Sequence, residues 1–200
     1  MNDRERRSMG PVELRAAADG KPPQLVGYAA VFNSRSEDLG GFREIILPGA
    51  FDRALREGHD VFALVNHDPN KVLSRTTATP PTVLSVDEHG LRVEIPIDPD
   101  DPDGGTTLRR VAAGKLNRMS FAFRTVADQW RTEEGEPIRE LTDLELFDVS
   151  VVTYPAYPAT EVSTRALEKA REVALPVTPP RPVPLERLTR LAGLHDREED

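Results

Sequence analysis

The sequence predicts an α+β fold, built as a mostly antiparallel closed β-barrel with a few packed helices. Three observations predict it. Strand-like runs recur along the chain, about eight of them, most bounded by Gly, Pro, Asn or Asp. Only two interior segments carry helical spacing. The two kinds of segment do not alternate regularly, which favours a mixed, mostly antiparallel sheet closed on itself with helices outside. At 200 residues the chain suffices for one domain of ordinary size plus tails.

Residues 1–10 are polar and are expected to form a flexible N-terminus. Residues 12–18 and 24–32 form two strands across Asp19-Gly20, a hairpin signal. In the second strand apolar residues run almost continuously from Leu25 to Phe32, as in a strand buried on both faces. A Ser/Arg/Glu/Asp/Gly loop leads to a short strand at 42–47, broken by Pro48-Gly49. Phe51, Ala54 and Leu55 then recur at i, i+3, i+4 and mark a helix ending at Gly58.

Residues 61–65 form a β-branched, apolar strand that runs into Asn66 and the turn His67-Asp68-Pro69-Asn70. Strands at 83–86 and 91–97 flank a second hairpin signature, Asp87-Glu88-His89-Gly90. After an acidic Pro/Gly loop at 98–105, Leu108, Val111 and Ala112 mark a second helix, with Thr106 or Thr107 as its N-cap and Gly114 near its end. Residues 119–125 are a strand, 129–140 an exposed polar hairpin region, and 141–153 the longest strand-like run, stopped by Tyr154-Pro155. Beyond it, residues 166–174 and 185–194 have helical patterning around a Pro-rich stretch at 176–184. The chain thus divides into a flexible 1–10, a core domain at 11–165, and a Pro-rich, partly helical C-terminal tail at 166–200.

Composition narrows the function. A net charge of −8 disfavours a broad cationic surface, so no direct nucleic-acid role and no membrane-surface role are expected. The absence of cysteine excludes thiolate nucleophiles, disulfides and Cys-based zinc sites. The first residues have no apolar run of a secretory signal, and apolar stretches fall far short of the ~20 residues a membrane-spanning helix needs.

Four residues are candidates for chemistry. On a regular pleat Met119, Phe121 and Phe123 share one face, and Ser120, Ala122 and Arg124 the other. The large side chains anchor the strand and leave a small hydroxyl opposite them. His67 stands at a strand end, near enough to solvent to act as a general base. Asp148 lies in a strongly apolar strand, sharing a face with Leu144, Leu146, Ser150 and Val152. A carboxylate there needs compensation, and a histidine ring N–H provides it. Glu145 is the reserve, because a bulge would exchange the two faces. Taken singly, Ser120 reads first as an ordinary strand serine and His67 as a turn residue, and Asp148 reads as readily as a sheet-edge acid. The His-Asp dipeptide also suggests a metal phosphohydrolase, but His59, His89 and His195 sit in poor contexts for further ligands, and neither metal nor cofactor is expected.

Five phrases in order join these residues: Gly27-Tyr28-Ala29-Ala30-Val31-Phe32-Asn33, Leu47-Pro48-Gly49-Ala50-Phe51, Leu64-Val65-Asn66-His67-Asp68, Met119-Ser120-Phe121-Ala122-Phe123, and a last phrase from Asp148 to Tyr157. Together they resemble the tailed-phage prohead maturation protease family, whose fold is related to the herpesvirus assemblin. The resemblance implies a serine endopeptidase with His67 as base, Ser120 as nucleophile and Asp148 in the third role, where relatives often carry Glu. It implies as partner the major capsid protein with its scaffolding region, cut inside the assembling procapsid in the host cytoplasm, with self-cleavage; the 175–200 tail is a candidate segment for it. A homo-oligomer is compatible with this reading, as is a non-enzymatic assembly factor that retains the fold. Two positions depart from the family pattern. Ala122 stands where glycine is common, and Ser74 precedes Arg75 where glycine is usual.

Overall fold

The computed structural model describes residues 4–18, 20–153, 166, 169, 170, 172 and 173. The expected stop at Tyr154-Pro155, the Pro-rich stretch and the last helix lie outside the described residues. Nine strands are described: β1 (Glu5–Arg15), β2 (Gln24–Val31), β3 (Arg43–Ile46), β4 (Phe62–Val65), β5 (Asp68–Arg75), β6 (Val83–Val86), β7 (Gly90–Pro96), β8 (Arg118–Glu133) and β9 (Glu136–Val152). Two helices, α1 (Asp52–Glu57) and α2 (Pro102–Ala112), lie between them.

The strands form one sheet in the order β5-β4-β9-β8-β1-β2-β7-β6, with β3 also paired to β9. The closed barrel is therefore corrected to an open, curled sheet, mostly antiparallel as expected but mixed through two parallel pairs. β3 and β4 both run parallel to β9, at 138–141 and 148–151 respectively. Periodicity within a strand gives its faces but not its partners, which is why the parallel pairs were not foreseen.

The core lies on one side of the sheet. Met119, Phe121 and Phe123 of β8 pack with Phe51 of the α1 approach, Leu25 of β2, and Ile95 and Val93 of β7. Phe51 meets Phe121 edge-on, with ring centroids 5.7 Å apart. Gly27 of β2 makes room for this packing. A Cβ there would stand 2.5 Å from the Pro11 carbonyl oxygen and 2.8 Å from Met119 Sδ. A second, smaller cluster joins Leu39, Phe42, Ala166 and Ala170, with Trp130 against it. Ala166 and Ala170, assigned to the tail by their sequence context, are thus buried against the sheet.

Other expectations need correction. Residues 5–10 are not loose but form the first half of β1, with Glu5 and Arg7 almost fully buried. Their charges are compensated by distant ion pairs, which composition does not reveal. β5 begins inside the turn expected at 67–70; its residues 69–72 are exposed on an edge strand. α2 begins four residues before Thr106. Asp101 is its N-cap, accepting from the Gly104 N–H at 2.7 Å, and Pro102 follows as the first helical residue. Gly104 fits only as glycine, since a Cβ would meet the Asp98 carbonyl oxygen at 2.2 Å. The polar region at 129–140 is the far end of the long β8–β9 hairpin, turning at Glu134-Gly135 with both φ positive.

Candidate active site

Strand β9 lies between the two elements that supply the other members of the site. β8 pairs with it on one side, placing Ser120 opposite Ser150 and Ala122 opposite Asp148. β4 pairs with it on the other side, placing Leu64 opposite Ser150, so that the turn after Val65 carries His67 over the strand.

That turn is unusual. Val65 pairs with Asp68 across the two residues Asn66 and His67. Both are left-handed, with φ of 53° and 57°. Positive φ at both central positions is the type I′ hairpin pattern, for which Asn-Gly is the favoured pair. Asn66 suits the first position, whereas His67 takes the second at a cost of ~1–2 kcal/mol. The turn is tied down on both sides. The Asn66 N–H donates to the Val151 carbonyl at 3.0 Å, and Asn66 Oδ1 accepts from Thr153 N at 3.1 Å and Thr153 Oγ1 at 3.2 Å. His67 N–H donates to Ser150 Oγ at 3.2 Å. The expected turn at 67–70 is thus shifted one residue earlier, with Asp68 already in β5.

On the other side of the ring, β9 bulges. Ala122 is opposite Asp148 but Phe123 is opposite Leu146, leaving Phe147 as the extra residue. The bulge exchanges faces. Leu144 and Leu146 point into the core before it, and Val149 and Val151 after it. Asp148 and Ser150 consequently lie on the face away from the core, not on that of Leu144 and Leu146 as a regular pleat predicts. They join Ser120, which alternation had already placed opposite Phe121.

The three side chains meet in line. His67 Nε2 is 2.7 Å from Ser120 Oγ, and His67 Nδ1 is 2.6 Å from Asp148 Oδ1. An ionised Asp148 only accepts, so Nδ1 carries the ring proton and Nε2 of the neutral ring is free to accept from the serine hydroxyl. Ser120 and Asp148 are buried, at 1% and 4% exposed, and the His67 side chain is 8% exposed. The reserve residue Glu145 lies before the bulge and pairs with Arg124.

Ser120 Oγ has a second acceptor within reach, the Arg7 carbonyl at 2.8 Å. One hydroxyl proton serves one acceptor at a time, so the Arg7 carbonyl competes with His67 for it. Arg7 is held by a buried ion cluster that sequence reasoning missed. Its guanidinium donates to Glu44 Oε1 at 2.7 Å and to Glu5 Oε2 at 2.7 Å. Arg139 Nη1 reaches the same two carboxylates at 3.0 and 3.1 Å, and Arg139 Nε donates to Asp128 at 2.7 Å. Burial pulls the Arg7 pKa down, but the charges and hydrogen bonds of Glu44 and Glu5 outweigh it and hold the guanidinium above its ordinary value. The same balance raises Arg139.

A serine, an imidazole and a carboxylate in this sequence of contacts can carry out nucleophilic acyl transfer. Comparisons with known proteins agree. Residues 11–173 match the family described as caudovirus prohead serine protease. No curated protein sequence matches the chain. A solved structure of the bacteriophage T4 capsid assembly protease, gp21, resembles it in fold, with a TM-score of 0.52 at 12% identity, covering 74% of this chain and 96% of that one. The chain therefore belongs to the caudovirus prohead serine proteases, enzymes of procapsid maturation.

Proposed function

We propose that this protein hydrolyses peptide bonds of the capsid protein or its scaffolding region inside the assembling procapsid, with Ser120 as nucleophile, His67 as general base and Asp148 as the third member. The observation that carries this reading is the unbroken hydrogen-bonded line from Ser120 Oγ through both ring nitrogens of His67 to Asp148 Oδ1.

The chemistry follows from those contacts. As Ser120 Oγ attacks the scissile carbonyl, its proton passes to His67 Nε2. Asp148, accepting from Nδ1–H, keeps that nitrogen protonated and stabilises the imidazolium that forms. The imidazolium then gives its proton to the leaving amine as the acyl-enzyme forms. Water, deprotonated by the same nitrogen, releases the acyl group and restores Ser120.

A nucleophile this deeply buried meets a peptide only after a neighbouring segment moves. The N-terminal half of β1, whose Arg7 carbonyl holds the hydroxyl, is the segment in contact with it. This favours a resting state with low activity outside the procapsid.

The test is co-expression with the capsid protein. Ser120→Ala and His67→Ala each abolish its processing while the chains still fold, read by circular dichroism. Full processing by either variant would sink the assignment.

A further inference from the structure

We infer that Ser150 is a positioning residue for the reaction, locking the His67 turn and the Asp148 carboxylate into one rigid unit. The inference rests on the proposed triad and adds a fourth member to it.

Ser150 is central by register. It stands on β9 directly opposite Ser120 of β8 and, on the other side, opposite Leu64 of β4, three residues before His67. It is fully buried, so solvent supplies no partner to its hydroxyl. Every hydrogen-bonding capacity of that hydroxyl is used within the site. Its proton goes to Asp148 Oδ1 at 2.9 Å. Its lone pairs receive the His67 backbone N–H and, as the weaker branch of a shared donor, His67 Nδ1–H, each at 3.2 Å.

These contacts address two weaknesses. The His67 backbone is left-handed, a conformation that a non-glycine residue keeps only when its surroundings hold it. The bond from His67 N–H to Ser150 is one of those holds. The Asp148 carboxylate sits just after a bulge, where the strand departs from regular pairing. A donor two residues along the same strand fixes the carboxylate's rotation, so that Oδ1 stays aimed at Nδ1. An alanine at 150 fills nearly the same space but supplies none of the three contacts. A serine serving only as packing would not need its oxygen.

The test uses the full chain, wild type and Ser150→Ala, alone and in an Asp148→Asn background. Two quantities are read: the maximal rate and half-saturating concentration for labelling by a fluorophosphonate, and the downfield proton resonance of His67 Nδ1–H in the resting protein, which needs no turnover. Ser150→Ala is expected to lower the maximal rate about ten- to a hundredfold, the range for a hydrogen bond to a charged group, with the half-saturating concentration unchanged. The resonance is expected to move upfield or broaden away. In the Asp148→Asn background the same change is expected to cost several-fold less than in the wild type, because the part that acts through that carboxylate is already lost and only the hold on the His67 N–H remains. An unchanged maximal rate with an unmoved resonance overturns the inference, as does an equal further loss in the Asp148→Asn background. Should Ser150→Ala not fold, Ser150→Cys, nearly the same size but a weak donor, carries the same measurements. Labelling of Ser120→Ala at the wild-type rate would instead overturn the triad; an inert Ser120→Ala beside an unaffected Ser150→Ala overturns only the role of Ser150.

Discussion

At the scale of single residues, the site depends on placing an imidazole where glycine is the easier choice. Asn66 and His67 share a turn that needs positive φ at both positions, and Asn66 holds it by accepting twice from Thr153. Asn66→Ala brings an unfavourable left-handed alanine and removes both bonds. Its expected cost is about 1–3 kcal/mol of unfolding free energy, measured by urea denaturation, together with slower turnover as His67 loses its footing. The alternation around Ser120 was legible from sequence because Met119, Phe121 and Phe123 mark the core face unmistakably. The surroundings of Asp148 were not, because the bulge at Phe147 leaves no trace in periodicity. The carboxylate reached its place by the face exchange that had been considered only for Glu145.

At the scale of elements, hairpins and their caps carry a measurable pH dependence. Asp87 closes the β6–β7 turn, accepting from Tyr28 hydroxyl at 2.6 Å and from His89 N–H at 2.8 Å. The Tyr28 hydrogen bond, with smaller help from the turn amides, holds the Asp87 carboxyl below its ordinary 3.8. A depressed folded value means that this stabilisation is complete above the ordinary value and disappears as pH falls through the folded one. Asp87→Asn is therefore expected to lose less of its thermal midpoint than the wild type between about pH 5 and pH 3, read by circular dichroism. The hairpin itself was legible from Asp87-Glu88-His89-Gly90. β5 was not, since an edge strand with exposed, polar residues has neither the alternation nor the apolar content that identifies buried strands.

Across the whole molecule, two buried polar groups lie on opposite faces of the sheet: His67, Ser120, Asp148 and Ser150 away from the core, and Glu5, Arg7, Glu44 and Arg139 on the core side, where Glu5 and Arg7 stand opposite Phe123 and Phe121 of β8. Arg7 joins them, with its side chain in the ion cluster and its carbonyl on the nucleophile. The cluster ties β1 to β3 and β9 across β8, linking segments far apart in sequence. Arg139→Ala leaves Glu5 and Glu44 with less compensation and is expected to destabilise the chain by about 3–5 kcal/mol in denaturant unfolding. Such long-range pairing is what the sequence could not disclose; it compensates the charges of the ordered N-terminal strand. The identity of the catalytic candidates, by contrast, was readable from five short phrases in order.

The central claim is that Ser120 is a nucleophile activated by His67. Its most direct test is mass spectrometry of the full chain after exposure to a fluorophosphonate, with the adduct mapped by peptide sequencing. The account predicts a single adduct on Ser120 that His67→Ala abolishes. An adduct on another serine, or labelling of Ser120 that persists undiminished in His67→Ala, would contradict it.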